Sequence, residues 1–239
     1  MRRRPPTLPS PYLREGLFDR RSTEPSRRCA PNQIGCRDNT NQSNDGEFTG
    51  RTRANRPLYK PEYWDKVQEL DYSTNFVDPM FRCVPLGVPR VGPPTSIVQT
   101  GNSMVFLYTG RDHDYRIIPT DGRKHDPEHF PSYWGDAVGH WEGETFVVVT
   151  VGRNDITWIA ERGGYFHGYE LRVTERFRRA GDTLHYHVTV EEPEVLLEPW
   201  VMTDQTLRLN PNPEAVFRIA EGQPCQDFDA AVIVNRIRH

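Results

Sequence analysis

The chain has 239 residues, of which 36% are hydrophobic and 26% are charged, and its formal net charge is −3. This length suits one large or two small domains. No apolar stretch reaches the roughly 20 residues of a membrane span, and the opening MRRRPPTLPSPYLREG lacks the apolar region of a secretory signal. As written, the sequence predicts a cytoplasmic protein without a membrane span, or an exported one if the start is misassigned.

The first 56 residues differ in composition from the rest. They hold 12 Lys and Arg against 6 Asp and Glu, whereas the remainder holds 18 against 27. They also contain six prolines and few large apolar side chains, so they cannot bury enough surface to offset the entropy lost on ordering. We predict a disordered basic tail over residues 1–56 and a single domain over residues 57–239. The tail can dock on a protein partner or on its own body, and the acidic body argues against a nucleic-acid groove.

The body begins with a predicted helix and an extended segment. Residues 57–70 place Tyr63, Trp64, Val67 and Leu70 on one helical face, and the helix is expected to start after Pro61. The following RCVPLGVPRVGPP, residues 82–94, contains too much proline for a helix or a central strand.

From Thr95 onward the sequence predicts short strands separated by turns. The strands are SIVQT, MVFLY, YRIIP, a hairpin over residues 139–151, a second hairpin over residues 169–191, and finally WVMTDQTLRL and AVFRIA. A long loop, residues 120–137, separates YRIIP from the first hairpin. This pattern predicts an all-β fold, an antiparallel meander that closes into a barrel or a sandwich.

Four cysteines occur, at positions 29, 36, 83 and 225, and none form a C-x-x-C pair. Zinc-ribbon and thioredoxin-like sites are therefore excluded by spacing. Cys83 and Cys225 flank the β region and can meet if its ends close. In the cytosol all four are expected to be free thiols, because disulfides need an oxidising compartment.

The segment WGDAVGHWEGETFVVVT, residues 134–150, resembles a bacterial family of small, β-rich and often exported proteins. The C-x-P-x-G-x-P-R pattern that begins at Cys83 and the Glu-Arg-Phe strand before Gly181-Asp-Thr-Leu are similar to the same family. The resemblance covers roughly residues 57–225. It implies the fold and brings no catalytic residues with it. The G-H-W-E-G element, residues 139–143, is also similar to lipocalin-like barrels.

Glu175 is a carboxyl on an otherwise apolar strand face, because side chains alternate between the two faces of a strand. Burial raises the pKa of a carboxyl, which suits a general acid or base near neutral pH. The alternative is an ion pair with an arginine such as Arg116 or Arg176, since buried charges are usually paired.

Two further groups can carry chemistry. His185 and His187 share one strand face with Glu191, a spacing that can hold a metal as in cupins, although such a face is also typical of plain solvent exposure. The 121–142 segment concentrates His and Asp beside Tyr133, Trp134 and Trp141, which fits a small-molecule pocket. The alternative is that these aromatic residues fill the core. No G-x-S-x-G elbow, P-loop or dinucleotide fingerprint occurs.

These patterns predict an enzyme with a barrel-like pocket that performs cofactor-free acid–base chemistry on a small, partly apolar substrate, by elimination, isomerisation or cyclisation. The predicted catalytic residues are His140, Asp136, Glu175 and Arg116, and the predicted pocket residues are Trp134, Trp141, Tyr115 and Tyr133. Two alternatives stay open. One is a cupin-like metalloenzyme that binds a divalent transition metal at His185, His187 and Glu191, and the other is a non-catalytic binding or assembly subunit that docks through its tail.

Overall fold

The computed structural model describes residues 18–22, 55–72, 77–108, 114–160 and 164–212. Over these ranges the protein consists mainly of two antiparallel sheets, with one short α-helix. The predicted all-β fold with a short N-terminal helix is confirmed. Of the two architectures expected, a sandwich fits, because neither sheet closes into a barrel within the described ranges.

The described residues form ten strands, which are, in chain order, β1 (Phe18–Ser22), β2 (Ser96–Gln99), β3 (Ser103–Leu107), β4 (Tyr115–Pro119), β5 (Asp136–Glu142), β6 (Thr145–Val151), β7 (Arg172–Ala180), β8 (Thr183–Glu191), β9 (Trp200–Val201) and β10 (Gln205–Leu209). The large sheet has the order β1-β10-β8-β7-β6-β5, and β9 pairs with β8 beyond β10. The small sheet has the order β2-β3-β4. Both predicted hairpins are present, as β5–β6 and β7–β8.

The core lies between the inner faces of the two sheets. Phe106 of β3 packs its ring 4.9 Å from that of Phe177 on β7 and 6.3 Å from that of Phe146 on β6. On β7 and β8 the buried positions recur at every second residue, as expected for strands with one face in a core. This alternation decides which side chains enter the space between the sheets.

The predicted helix after Pro61 is present and ends two residues later than expected. A 3₁₀ turn, Pro61–Tyr63, leads into α1 (Trp64–Tyr72), and a second 3₁₀ turn spans Pro79–Arg82. The residues before Pro61 are extended: Tyr59 bridges to Leu196, and the Lys60 amide donates to the carbonyl of Val195. No helix in the described part of the chain has the length and hydropathy of a membrane span.

Two parts of the predicted tail are described. Phe18–Ser22 pairs along its whole length with β10, and the side-chain amide of Asn55 donates to the carbonyl of Val201 at 2.7 Å and accepts from Trp200 Nε1 at 2.9 Å. Both contacts are with the chain's own body. The rest of residues 1–54 and the predicted strand AVFRIA lie outside the described residues, as do Cys29, Cys36 and Cys225.

Candidate functional site

Glu175 and Arg116 meet in the space between the two sheets. Nη1 of Arg116 lies 2.6 Å from Oε2 of Glu175, and the two side chains are only 3% and 0% exposed. Burial lowers the pKa of Arg116, but the Glu175 carboxylate and the Tyr108 hydroxyl together outweigh this effect and raise the pKa above its usual value. The alternative that Glu175 forms an ion pair is therefore what the structure contains.

Three hydroxyl groups surround this ion pair. Arg116 donates from Nη1 to the Tyr108 hydroxyl at 3.1 Å and from Nη2 to Thr150 Oγ1 at 2.9 Å. Tyr186 donates to Oε1 of Glu175 at 3.0 Å. We call these five residues the inter-sheet cluster. The carboxylate and the guanidinium are in direct contact, and each also bonds to a hydroxyl group.

The other two predicted catalytic residues do not join the inter-sheet cluster. His140 lies on the outer face of β5, with 51% of its side chain exposed, and bonds to Glu142 Oε1 at 3.1 Å. Asp136 accepts hydrogen bonds from His125 Nδ1 at 2.8 Å and from the backbone amide of Asp126 at 3.0 Å. Asp136 thus holds the long loop, and the expected convergence of His140, Asp136 and Glu175 on one cavity is not present.

The four predicted pocket residues are dispersed. Trp134 is half-buried and stacks on Tyr108 with ring centroids 5.6 Å apart, so it does contact the inter-sheet cluster. Trp141 packs against Phe146 with centroids 5.2 Å apart, which matches the alternative of a core residue. Tyr115 is 63% exposed, and Tyr133 contributes its backbone carbonyl to Arg153 Nε at 3.1 Å.

The histidines of the metal alternative lie on the outer face of the large sheet. His185 stands opposite Arg178, and His187 stands opposite Arg176 of β7. Both histidines lie on the face of the sheet that is turned away from the core. His187 Nδ1 lies 2.5 Å from Asp204 Oδ1, and Glu191 pairs with Arg172 at 3.5 Å. In the described ranges no three His, Cys, Asp or Glu side chains are grouped closely enough to hold a metal ion.

Two of the buried charged residues are not paired with a residue of opposite charge within the described part of the chain. The described residues include three buried arginines, at positions 90, 116 and 153, and three buried carboxyl residues, at positions 78, 175 and 192. Arg90 bonds Asp78 through both oxygens, at 2.7 and 2.6 Å, and Arg116 bonds Glu175. Arg153 and Glu192 are therefore the buried charged residues without a direct partner of opposite charge among the residues the structure describes.

Arg153 is fully buried and is held by neutral oxygens. Its guanidinium donates to the backbone carbonyls of Tyr133, Val88 and Leu86 and to the hydroxyl of Thr157. Burial, together with the positive charges of Arg116 and Arg90, lowers the pKa of Arg153 to about 9. The guanidinium still carries its charge at neutral pH and cross-links three loop segments.

Thr157 also forms a hydrogen bond with His167. Nδ1 of His167 lies 2.7 Å from the carbonyl oxygen of Gly168, which can only accept, so Nδ1 carries the proton. Burial and the charge of Arg153 lower the pKa of His167 to about 3, so its ring is neutral. Nε2 therefore accepts from the Thr157 hydroxyl at 3.2 Å, while that hydroxyl accepts from Arg153. Donor and acceptor can therefore be assigned in each hydrogen bond from Arg153 through Thr157 and His167 to the Gly168 carbonyl.

Glu192 is linked to His167 through the backbone of Gly168, whose carbonyl accepts from His167 and whose amide donates to Glu192. Its residue is 1% exposed, and its carboxylate accepts from the backbone amides of Gly168 at 3.1 Å and Glu194 at 3.3 Å. Burial and the negative charges of Glu194 and Glu170 raise the pKa of Glu192 to about 7, against the lowering effect of the two amides. We call Arg153, Thr157, His167 and Glu192 the relay cluster.

Sequence reasoning did not select any residue of the relay cluster. One signal was available for Glu192: continuing the inward alternation of Val188 and Val190 by two positions places Glu192 on the inner face. His167 follows two aromatic residues that are buried, a weak hint of burial. Arg153 follows Gly152 outside the strand, and no pattern in the sequence predicts its burial.

Comparison of the chain with family models, with curated proteins and with solved structures found no match. The resemblance to a β-rich bacterial family therefore stays a prediction.

Proposed function

We propose that this protein is an enzyme that performs acid–base chemistry on a small molecule and that Glu192 transfers the proton. The observation that carries the proposal is the relay cluster. Glu192 is a buried carboxyl without a cationic partner among the described residues. Hydrogen bonds of Thr157 and His167, joined to Glu192 through the backbone of Gly168, link it to Arg153, the one buried arginine in those residues without a carboxylate. Buried charges are usually paired directly, and strongly perturbed ones cluster at functional sites.

The assignment follows from how each carboxyl is held. The charges of Asp78 and Glu175 are fixed by arginines at 2.6 Å, so losing either charge would break an ion pair. Among the described residues the Glu192 carboxylate accepts hydrogen bonds from backbone amides only, and its pKa of about 7 lets both protonation states exist near neutral pH. A general acid or base is most effective when its pKa lies near the working pH.

The other residues of the relay cluster keep Glu192 in place. Neutral His167 fixes the turn at Gly168, whose amide then points at the carboxylate. Arg153 and Thr157 hold His167 in turn, because the Thr157 hydroxyl bonds to both. The predicted reactions, elimination, isomerisation and cyclisation, all need a proton removed or delivered at one atom of the substrate, which the carboxylate or the carboxylic acid of Glu192 can do.

The test uses proton transfer itself as the readout. The full-length protein is incubated in D₂O with a panel of small carbonyl, hydroxyl and epoxide compounds, and deuterium incorporation and new products are followed by mass spectrometry. We expect exchange or turnover of at least one compound. The Glu192→Gln variant should lose at least about 100-fold of that rate, the usual scale for a missing general acid or base.

Glu198 provides a matched control, because it is an exposed carboxyl on the same loop. The Glu198→Gln variant should keep the wild-type rate. A Glu192→Gln protein that folds and retains full activity on the compound found would contradict the proposal. The same compound then tests Glu175 and Arg116, whose predicted catalytic roles stay predictions.

The compartment can be proposed from Cys83. This cysteine is disulfide-bonded, and its partner lies outside the described residues. Disulfides persist in oxidising compartments and are rare in the cytosol. The bond therefore supports the exported alternative over the cytoplasmic one, and mass mapping of the protein from its native host, with thiols blocked at lysis, tests it.

A further inference from the structure

The small sheet β2-β3-β4 is apolar on both of its faces. The inner face belongs to the core, and the register of the three strands places the outward side chains beside one another. Apart from two serines and a proline, the outward side chains are large and apolar, and none of them is charged. We call the large ones the outer apolar face, and they are Val98, Val105, Leu107, Tyr115 and Ile117.

The outer apolar face is open to solvent at β4. Tyr115 is 63% exposed and Ile117 is 60% exposed, and the other three side chains of the face are partly buried. Four further large apolar side chains of the described residues are exposed, and all four lie in loops. Tyr115 and Ile117 are therefore the one pair in the described part of the chain that shares a strand face.

The large sheet has the ordinary pattern. Its strand β7 turns Arg172, Arg176 and Arg178 away from the core, and β8 turns His185 and His187 the same way. An antiparallel sheet with one face in water usually alternates apolar inward and polar outward residues in this manner. A sheet that is apolar on its outer side departs from this pattern, and contiguous exposed apolar patches commonly mark a contact surface.

The border of the outer apolar face is polar and uncharged at the β2–β3 turn. This turn contributes Thr100 and Asn102, and Thr120 at the end of β4 donates its amide to the carbonyl of Asn102 at 2.8 Å. The nearest cation in the loop that follows, Arg123, is paired with Asp121 at 2.6 Å. An apolar centre with a polar rim is the usual anatomy of a protein–protein interface, whereas surfaces that lie on a membrane are typically rich in lysine and arginine.

We propose that the outer apolar face binds the same face of a second copy of this chain in a two-fold symmetric dimer. In such a dimer one surface contacts itself, so any charge on it would meet a like charge. The outer apolar face has no charge and avoids this repulsion. The outer face of the large sheet would instead bring its arginines together, and like charges across an interface suppress association.

The size of the face indicates a weak dimer. Three strands about 4.8 Å apart, with five residues of about 3.3 Å each, form a surface of roughly 14 by 17 Å. A standard interface buries about 800 Å² on each partner. The outer apolar face and its rim fall below this size, so the dimer should dissociate on dilution.

Analytical ultracentrifugation of the full-length protein tests the dimer. We expect the weight-average mass to rise from monomer towards dimer between about 10 µM and about 500 µM, the range in which a small interface associates. Ile117→Lys should weaken dimerisation at least about tenfold, because each copy would bring a charge into an apolar contact. The matched control is Leu197→Lys, because Leu197 is a loop residue with a similar exposure, 55%, and this variant should dimerise like the wild type.

Two further measurements separate dimerisation from folding and from other occupants of the face. Both lysine variants should keep the wild-type urea midpoint, since the replaced side chains are largely exposed. If Ile117→Lys does not fold, a photo-crosslinking benzoylphenylalanine in place of Tyr115 provides the test. Mass mapping should then find a crosslink between two copies, at β3 or β4 of the second copy.

Three results would overturn the proposal. The first is a monomer at every concentration, whether or not it floats with phosphatidylcholine vesicles, which would assign the face to a membrane. The second is a dimer that Ile117→Lys leaves as strong as the wild type. The third is a crosslink from position 115 within a single chain, which would show that another segment of the same chain covers the face.

Discussion

Replacing Glu175 by Gln tests whether the inter-sheet cluster is structural. The change keeps the size and shape of the side chain, and the amide oxygen can still accept from Tyr186. It removes the negative charge that lies 2.6 Å from Arg116 Nη1. Arg116 then remains charged, because an arginine does not lose its proton at ordinary pH.

The expected cost is large because neither side chain reaches water. With exposures of 3% and 0% for the two side chains, removing one partner leaves an uncompensated buried charge, which typically costs about 3–5 kcal/mol. A domain is stabilised by only about 5–15 kcal/mol, so the variant should unfold readily. The Glu191→Gln variant is the matched comparison on the neighbouring strand. Its pair with Arg172 is 46% exposed on both sides, and we expect a loss of at most about 1 kcal/mol.

Urea unfolding, followed by circular dichroism, measures both variants. At a slope of about 2 kcal/mol/M, the Glu175→Gln midpoint should fall by roughly 1.5–2.5 M. The double variant Arg116→Met, Glu175→Leu should recover most of the loss, because it removes both charges and keeps the volume. A Glu175→Gln protein as stable as the wild type would refute the structural account of this ion pair.

Three further results are expected. Gly87→Ala should cost more than Gly181→Ala in urea unfolding: both glycines have positive φ, 62° and 58°, but only a Cβ at Gly87 overlaps Arg153. NMR of His167 should show a neutral ring with the proton on Nδ1 and no titration above about pH 4. Because the pKa of His167 is lowered from 6.5 to about 3, its contribution to the free energy of unfolding is lost as pH falls below 6.5. Because the pKa of Glu192 is raised, its contribution to the free energy of unfolding is complete below pH 4.5 and is lost as pH rises through 7. The melting temperature should fall over this range in the wild type, and the fall should be smaller in Glu192→Gln.

The strands could be predicted from sequence because one face of each is buried. The alternation on β7 and β8 placed Glu175 inward and His185 and His187 outward, and the structure confirms both. The choice between a catalytic Glu175 and an ion pair could not be made, because the partner on β4 is 59 residues distant in sequence. Long-range pairing of this kind leaves no periodic signal.

His140 does not contact Glu175, because the two side chains lie on opposite faces of the large sheet. In the sheet, Val148 stands between Gly139 and Glu175, so Glu175 shares its face with Gly139 and not with its neighbour His140. A one-residue difference in register moves a side chain to the opposite face. The register of the β5–β6 hairpin was therefore the missing information.

The relay cluster was missed for a different reason. Arg153, Thr157 and His167 lie in segments without regular secondary structure, where burial follows from the packing of loops and has no period in the sequence. Only Glu192, two positions beyond Val190, continues a strand pattern. A search for polar residues that extend the inward face of a strand would have found it.

Glu192 is buried without a counter-charge among the described residues, and its carboxyl is expected to titrate near neutral pH. Carbon-13 NMR of the side-chain carboxyl groups, with the Glu192 signal assigned by its loss in Glu192→Gln, measures this directly. We expect a midpoint near pH 7. A midpoint at the ordinary value of about 4.5 would contradict it.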